Sequence, residues 1–142
     1  MGFDIHIIDH TNMNLLDAVA PDVFDAPIKP QLLSAFCDQP SHFMAVAEKD
    51  HLVVGQIRAI LHFNPDEPPT LYIDNLGVAP TQKRKGIATS LFAASLQWAQ
   101  KHGVQSFWVA TELDNKEANG FYRSQSLSGN KMIYYEGTFS AD

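Results

Sequence analysis

The segment "TLYIDNLGVAPTQKRKGIATSLF", residues 70–92, joins a strand pattern to a helix pattern through a basic loop. Its first part is rich in apolar and β-favouring residues and predicts a central strand that ends at Val78. From about Gly86 the apolar residues recur at helical spacing, and Gly103 provides the stop for that helix. Three consecutive cations occupy the loop between the two elements, at residues 83–85.

The loop and the first helical turn together predict an anion-binding site. A helix N-terminus presents unpaired N–H groups and a partial positive charge. Gly86 and Ala88 lack bulky side chains, so a ligand can approach the backbone closely. Lys83, Arg84 and Lys85 add three formal charges. The arrangement favours a phosphate group, and the alternative is a solvated basic loop that binds nothing.

Composition and charge limit the class of protein. The chain has 142 residues, of which 45% are apolar and 18% charged, which predicts a single globular domain over residues 1–142. Residues 1–80 hold eleven acidic and three basic side chains, a net of −8, whereas residues 81–142 hold five and seven, a net of +2. This asymmetry suggests one cationic and one anionic ligand, and the alternative is that the overall charge of −6 keeps the protein soluble.

Several ligand and location classes are disfavoured. Neither the P-loop nor the dinucleotide-binding glycine pattern occurs, and the basic patch is too small to predict nucleic-acid binding. The single cysteine, Cys37, is expected to be buried and inert, and the histidines show no metal-ligand spacing, so we expect no metal. No secretory signal or membrane-length apolar run is present, so we expect a cytoplasmic location and no membrane partner.

The remaining segments complete the order β-α-α-β-β-β-α-β-α-β, which predicts one mixed α/β (α+β) domain. An antiparallel meander forms its front, and a strand–helix–strand unit with parallel strands follows. Within this order, the sequence predicts a helix in "TNMNLLDAV", a helix opened by a capping box from Asp114 to Glu117, and a final strand in "SLSGNKMIYYEGTF".

The basic segment resembles motif A of the GNAT superfamily of acetyl-CoA-dependent N-acetyltransferases, whose core is Gln or Arg, two variable residues, Gly, one variable residue, and Gly or Ala. The matching run is Lys83-Arg84-Lys85-Gly86-Ile87-Ala88, in which Lys83 departs from the usual Gln or Arg. Downstream, "NKEANGFYRSQSL" resembles motif B through Asn115, Ala118, Phe121 and Tyr122. Within the superfamily, the segment looks most like the type I aminoglycoside 3-N-acetyltransferases.

The resemblance implies a GNAT-type, mostly antiparallel central sheet with helices on both faces, and acetyl-CoA as cosubstrate. It implies that the strand before motif A separates from the next strand, so that its backbone can bind the pantetheine arm, and that Gly77 leaves room for this ligand. The implied cofactor-binding residues are Leu76, Gly77, Val78, Lys83, Arg84, Lys85, Gly86, Ile87, Ala88, Thr89, Asn115 and Tyr122. Helix capping is the alternative role for Asn115.

The implied reaction is direct acetyl transfer to an amine. Tyr122 is expected to be the catalytic acid that protonates the departing thiolate, with packing on the helix face as its alternative. Asp74, expected within the sheet on the same face as Tyr72 and Leu76, is predicted to receive the amine proton through water or to anchor the substrate. The alternative is a carboxylate satisfied by backbone N–H groups.

The acceptor is expected to be a small cationic amine of the aminoglycoside, polyamine or amino-sugar type. Asp25, Tyr72 and Asp74 are its predicted binding residues, and acidic side chains of the loops around Asp22, Asp66 and Glu67 are expected to flank it. A protein or peptide N-acetyltransferase and a non-catalytic acyl-CoA-binding module are the alternatives. A homodimer is compatible with the resemblance, and "MIYY" in the last strand could pair across subunits or lie in the core.

Overall fold

Five strands form one sheet in the computed structural model, which describes residues 2–140. They are β1 (Asp4–Ile7), β2 (His42–Lys49), β3 (Leu52–His62), β4 (Thr70–Val78) and β5 (Ser106–Val109). Their spatial order follows the chain, and neighbours are antiparallel except β4 and β5, which are parallel. The predicted mixed, mostly antiparallel sheet is therefore confirmed.

Three α-helices accompany the sheet: α1 (Pro30–Cys37), α2 (Ile87–Lys101) and α3 (Lys116–Ser124). Two 3-10 helices, Met13–Asp17 and Pro80–Gln82, lie in the connections. Helix α2 ends as the sequence predicts, because Gly103 has φ 77° and the amides of Gly103 and Val104 bond back to the carbonyls of Gln100 and Ala99. None of the described helices has the length and apolar character that crossing a lipid bilayer requires.

The helix predicted in "TNMNLLDAV" is shorter than expected, because only the 3-10 turn Met13–Asp17 forms. Asn12 precedes this turn but does not cap it. Its side chain instead accepts a hydrogen bond from the amide of Asp9 and donates one to the carbonyl of Ile7, which closes the turn after β1. Asparagine side chains commonly form such local hydrogen bonds to the backbone, and these bonds compete with helix formation.

Helix α2 packs across β2, β3 and β4, and this contact fixes where the basic loop begins. A Cβ atom on Gly55 of β3 would come within 2.8 Å of the Ile87 side chain and 3.2 Å of Leu91. Gly55 pairs with Val78, the last residue of β4. The missing side chain at Gly55 therefore lets the first turn of α2 lie directly over the end of β4.

The chain separates into two compact units, of which the first ends at Val109 and the second begins at Ala110. The single domain over residues 1–142 stays a prediction. Within the second unit, Asn115 and not Asp114 is the N-cap of α3, since its side chain accepts the amide of Ala118 at 3.0 Å. The capping role considered for Asn115 is thus present.

The final strand expected in "SLSGNKMIYYEGTF" is wrong for this structure. Residues 127–140 follow α3 without regular secondary structure. A strand requires a neighbour for its backbone hydrogen bonds, and the sheet that the described residues form ends at β5. High β-propensity alone therefore does not make this segment a strand.

Candidate functional site

Strand β4 extends beyond the end of its neighbour β5. Their parallel pairing ends at Ile73 and Val109, whereas β4 continues for five residues to Val78. Over this stretch β4 is paired with β3 on one side only, among the described strands. The described sheet is thus compatible with the separation that the resemblance implies, and a cosubstrate-binding role for the backbone at Leu76, Gly77 and Val78 stays a prediction.

The loop after β4 combines two left-handed residues with a helix start. Arg84 has φ 64°, and Gly86, the N-cap of α2, has φ 85° and ψ 3°. A Cβ on Gly86 would meet nothing within 4 Å, so the space on that side of Gly86 is open. Successive amides in such conformations form a concave anion-binding surface, and the first N–H groups of a helix have no intrahelical partner.

Two cations converge on one amide oxygen beside this loop. The Nζ atoms of Lys49 and Lys85 each donate to Oε1 of Gln82 at 3.3 Å. Lys49 comes from the end of β2, where Asp50 and His51 turn the chain with φ 52° and 63°. Two like charges held this close favour an anion between or beside them. The sequence analysis missed Lys49 and Gln82 because their proximity depends on how the hairpin packs.

The space beside Gly77 is already filled by the chain itself. A Cβ on Gly77 would collide with the carbonyl oxygen of Val23, which also accepts a hydrogen bond from Gln56 Nε2 at 3.2 Å. The expectation that this glycine leaves room for a ligand is thus wrong at its Cβ position. Gly77 instead allows the loop that contains Val23 to lie against β4.

A polar cluster lies beneath this loop. Gln56 is fully buried, and its Nε2 also donates to Asn75 Oδ1 at 2.5 Å. Within the described part of the chain, Gln56 Oε1 and Arg58 Nε are buried without a hydrogen-bond partner. Buried polar atoms of this kind are normally satisfied, so a water or a polar ligand is expected beside them. The sequence analysis did not identify this cluster, because its members come from three separate segments.

Asp74 differs from its predicted environment. Arg58 pairs with Asn75 and Ala59 with Ile73, so Asp74 is the extra residue of a β-bulge. It is exposed and not buried in the sheet. The bulge also changes the expected alternation, because the register places Tyr72 on the same face as Asn75 and separates it from Leu76.

The other predicted acceptor residues lie at different places on the first unit. Tyr72 is half-buried and stacks on Trp108 with ring centroids 4.2 Å apart. Asp25 is exposed in the loop between the first 3-10 helix and α1.

The thiol of Cys37, which was expected to be buried, is only partly buried. Burial, together with the nearby charges of Asp9 and Asp38, raises the pKa of this thiol.

The second unit holds the predicted catalytic acid. Tyr122 lies on α3, with its ring 5.3 Å from that of Phe121 in an edge-on arrangement. Burial raises the pKa of the Tyr122 phenol above its usual value. The group is therefore protonated throughout the neutral range and can donate a proton. On the same helix, Asn119 bonds to the carbonyls of Glu112 and Asn115 and holds the loop before it.

Comparisons with known proteins identify the family. The acetyltransferase (GNAT) family model matches residues 11–126. The chain is 23% identical over 94 residues to aminoglycoside N(6')-acetyltransferase type 1 of Acinetobacter haemolyticus, covering 63% of this chain and 65% of that protein. It is 35% identical over 63 residues to N-alpha-acetyltransferase 30 of Schizosaccharomyces pombe, covering 44% and 42%. The chain thus spans less than two thirds of these relatives.

Solved structures share the fold over nearly the whole chain. The aminoglycoside acetyltransferase AAC(6')-Iy, bound to a bisubstrate analogue CoA-S-monomethyl-acetylneamine, superposes with a TM-score of 0.82 at 15% identity, covering 98% of this chain and 100% of that one. The aminoglycoside-modifying relatives named here are 6'-N-acetyltransferases, so the narrower resemblance to the 3-N group is wrong. The chain belongs to the acetyltransferase (GNAT) family.

Proposed function

We propose that the protein is an acetyl-CoA-dependent N-acetyltransferase whose acceptor is a primary amine of an aminoglycoside-like substrate. The observation that carries the proposal is the stretch of β4 beyond Ile73, which has no β5 partner and leads through the basic loop to the N-terminus of α2. An extended arm can follow the free backbone of β4, while a diphosphate meets the amides from Lys83 to Thr89. The relatives that modify aminoglycosides support this acceptor class over polyamines and simple amino sugars.

The residues of the first unit fit the anionic part of acetyl-CoA. Open space beside Gly86 admits a phosphate to the backbone, and Lys49 and Lys85 supply charge beside it. Leu76, Gly77 and Val78 supply backbone donors and acceptors along the arm.

Asn115 belongs to the second unit. It caps α3 through its Oδ1 atom, which leaves its amide nitrogen as the group that would contact the cosubstrate.

Acetyl-CoA supplies an activated acetyl thioester. The neutral amine forms a bond to the acetyl carbon while the carbon–sulfur bond breaks, so the amine must lose one proton and the sulfur must gain one. Tyr122 donates the second proton, because its raised pKa keeps the phenol protonated. Asp74, exposed on the bulge, receives the first through water or attracts the cationic acceptor. Asp25 adds to that attraction from its exposed loop.

Thiol release from acetyl-CoA, followed with a chromogenic thiol reagent, tests this function. Sisomicin, a polyamine and peptides with free α-amines are supplied in turn, with and without the enzyme. We expect the highest kcat/KM with the aminoglycoside. A chain that binds acetyl-CoA, but releases no thiol with any amine, would be a binding module and would overturn the proposal.

A protein N-acetyltransferase is the second candidate, because the similarity to N-alpha-acetyltransferase 30 is the higher of the two identities, although over a shorter region. The same assay separates the two candidates. If peptides are acetylated with a higher kcat/KM than the aminoglycoside, the acceptor is an α-amine or lysine of a protein.

A further inference from the structure

Arg58 lies in the middle of the sheet, where a charged side chain is unusual. It belongs to β3, the central one of the five strands, and pairs with Met44 of β2 on one side and with Asn75 of β4 on the other. The residue is only partly exposed, and its Nε atom is buried without a hydrogen-bond partner. Among the described residues, Arg58 forms no ion pair. Because arginine is rarely placed so deeply without an anion, an anionic partner from a ligand is expected.

The Arg58 side chain is on the face of the sheet opposite α2. A Cβ on Gly55 would meet the Ile87 side chain of α2, and the side chains of a strand alternate between faces, so residue 58 is directed to the other side. Gln56 shares this second face and donates to the carbonyl of Val23. The sheet therefore separates Arg58 from α2, whose N-terminus is the proposed site of the cosubstrate diphosphate.

Residues predicted to bind the acceptor lie on the face of Arg58. Tyr72 pairs with the residue two positions along β3 from Arg58, so the two side chains share that face. The loop that contains Asp25 lies on this face as well, because Val23 of that loop accepts the hydrogen bond from Gln56. Arg58 therefore belongs to the acceptor side of the sheet and not to the cosubstrate side.

Asp74 lies close to Arg58 on the neighbouring strand and carries the opposite charge. It is the exposed extra residue of the bulge, directly before Asn75, which is the cross-strand partner of Arg58. Neither of the two charged groups forms an ion pair within the described part of the chain. Since neighbouring strands are about 5 Å apart, a small ligand can contact both groups at once. One charge of each sign on the same side suits a ligand that carries both an amine and a carboxylate.

We infer that Arg58 binds a carboxylate of the acceptor, so that amino acids with a second, distal amine are acetylated. The inference rests on the proposed acetyl transfer and extends its acceptors beyond aminoglycoside-like amines. Nε of Arg58 is buried, but its terminal guanidinium nitrogens are not, and their planar fork matches the two oxygens of a carboxylate. The distal amine forms the bond to the acetyl carbon, the carbon–sulfur bond breaks, the amine loses one proton and the sulfur gains one. The carboxylate is unchanged.

Binding to the enzyme loaded with CoA tests the carboxylate site without any reaction. Lysine, lysinamide and cadaverine carry the same distal amine, but only lysine has a carboxylate. Calorimetry should give a Kd for lysine that is roughly tenfold or more below the Kd for lysinamide and for cadaverine, as expected of a charge-assisted contact. Equal Kd values for lysine and lysinamide would overturn the inference.

Arg58→Met keeps most of the side-chain length and removes the charge. The ratio of the Kd for lysinamide to the Kd for lysine should fall to about one in this variant, with an unchanged circular dichroism spectrum. Lys101→Met is the matched control, since it removes an exposed lysine at the end of α2, and it should keep the wild-type ratio. A wild-type ratio in Arg58→Met would contradict the inference.

Arginine-specific modification of the wild type keeps the inference testable if Arg58→Met does not fold. Phenylglyoxal is added to the CoA-loaded enzyme, and the modified arginines are located by mass spectrometry. Lysine should slow the modification of Arg58 several-fold more than lysinamide does, whereas modification of the exposed Arg123 should respond to neither. Equal modification of Arg58 with lysine and with lysinamide would exclude a carboxylate at this residue.

Thiol release from acetyl-CoA separates this inference from the proposed function. Lysine should be acetylated with a kcat/KM roughly tenfold or more above that of lysinamide. Thiol release with sisomicin, but without a preference for lysine, would overturn the inference alone. If no amine releases thiol, the proposed function fails, while a lower Kd for lysine than for lysinamide would still support the carboxylate site.

Discussion

The carbonyl oxygen of Val23 occupies the position that a side chain on Gly77 would need. Gln56 fixes this arrangement, because its Nε2 donates to the same oxygen at 3.2 Å from a fully buried position. The loop with Asp22 and Asp25 is therefore held against the half of β4 that β5 leaves uncovered. Gly77 therefore lets the loop that is predicted to bind the acceptor pack against β4, the strand that is predicted to bind the cosubstrate.

Gly77→Ala should destabilise the fold, because the new methyl group meets backbone and not a flexible side chain. We expect the free energy of unfolding to fall by about 1–3 kcal/mol, measured by urea denaturation. Gly129→Ala is the control, since a Cβ there meets nothing, and it should change stability by less than about 0.5 kcal/mol. Equal effects would show that the Val23 loop moves freely.

Gly86→Val should abolish most CoA binding, because a β-branched residue does not adopt φ 85° without strain. We expect the Kd for CoA, measured by calorimetry, to rise roughly 100-fold. Gly103→Val is the matched control, because it places the same strain at the other end of α2 and should leave the Kd unchanged.

Arg84→Ala should weaken CoA binding by no more than about fivefold, since an exposed charge contributes little. Calorimetry measures the Kd of this variant for CoA, as it does for Gly86→Val. If Arg84→Ala and Gly86→Val weakened binding equally, the side chains of the loop would matter as much as its backbone.

Lys49→Met should reduce the salt dependence of CoA binding. The expected loss of affinity is about two- to fivefold at low salt, and it should shrink as added salt screens the charge. Lys29→Met removes an exposed lysine at the start of α1 and serves as the control. Identical salt dependence in wild type and Lys49→Met would exclude Lys49 from the anion site.

Tyr122→Phe should lower kcat by about 10²- to 10⁴-fold while the Kd for CoA stays near the wild-type value. The deficit should be constant from pH 6 to 9, because the phenol of the wild type remains protonated over that range. Tyr135→Phe should retain wild-type kcat. A Tyr122→Phe enzyme with normal kcat would leave only a packing role for this residue.

The raised pKa of Tyr122 also has a consequence for stability. Its folded pKa lies above its unfolded pKa, so its contribution is fully present below about pH 10 and is lost as the pH rises through the folded value. The free energy of unfolding of wild type should therefore fall between pH 9 and pH 11, in part through Tyr122. Tyr122→Phe lacks this titrating group, so its free energy of unfolding, measured by denaturation at both pH values, should fall less.

Asp74→Asn should lower kcat/KM for the amine by about tenfold or more, most strongly where the amine is protonated. Asp50→Asn, an exposed acid in the β2–β3 turn, is the control and should have no effect. Unchanged rates across pH 6 to 9 would remove Asp74 from the mechanism.

The sequence predicted features that depend on local chemistry. The end of β4, the glycine at the start of α2 and the stop at Gly103 follow from residue types at fixed spacing, and all three are present. Features that depend on packing were missed. Strict alternation along β4 wrongly placed Leu76 on the face of Tyr72, because a bulge at Asp74 in the β3–β4 pairing interrupts the alternation.

Contacts between distant segments could not be predicted from local sequence patterns either. Lys49 and Gln82 are 33 residues apart, and only the packing of the hairpin brings them together. Val23 and Gly77 meet for the same reason. The strand expected in "SLSGNKMIYYEGTF" had the correct propensity, but propensity does not supply the neighbouring strand that its backbone hydrogen bonds need.

The open side of β4 has a consequence for inhibitor chemistry. Every second residue of β4 directs its N–H and C=O away from β3, so the stretch from Leu76 to Val78 offers a row of backbone donors and acceptors on that side. Any extended molecule with amides at matching intervals can satisfy that row, whether or not it carries phosphate. Short uncharged peptide mimics should therefore compete with the cosubstrate, and they would avoid the poor membrane passage of a diphosphate.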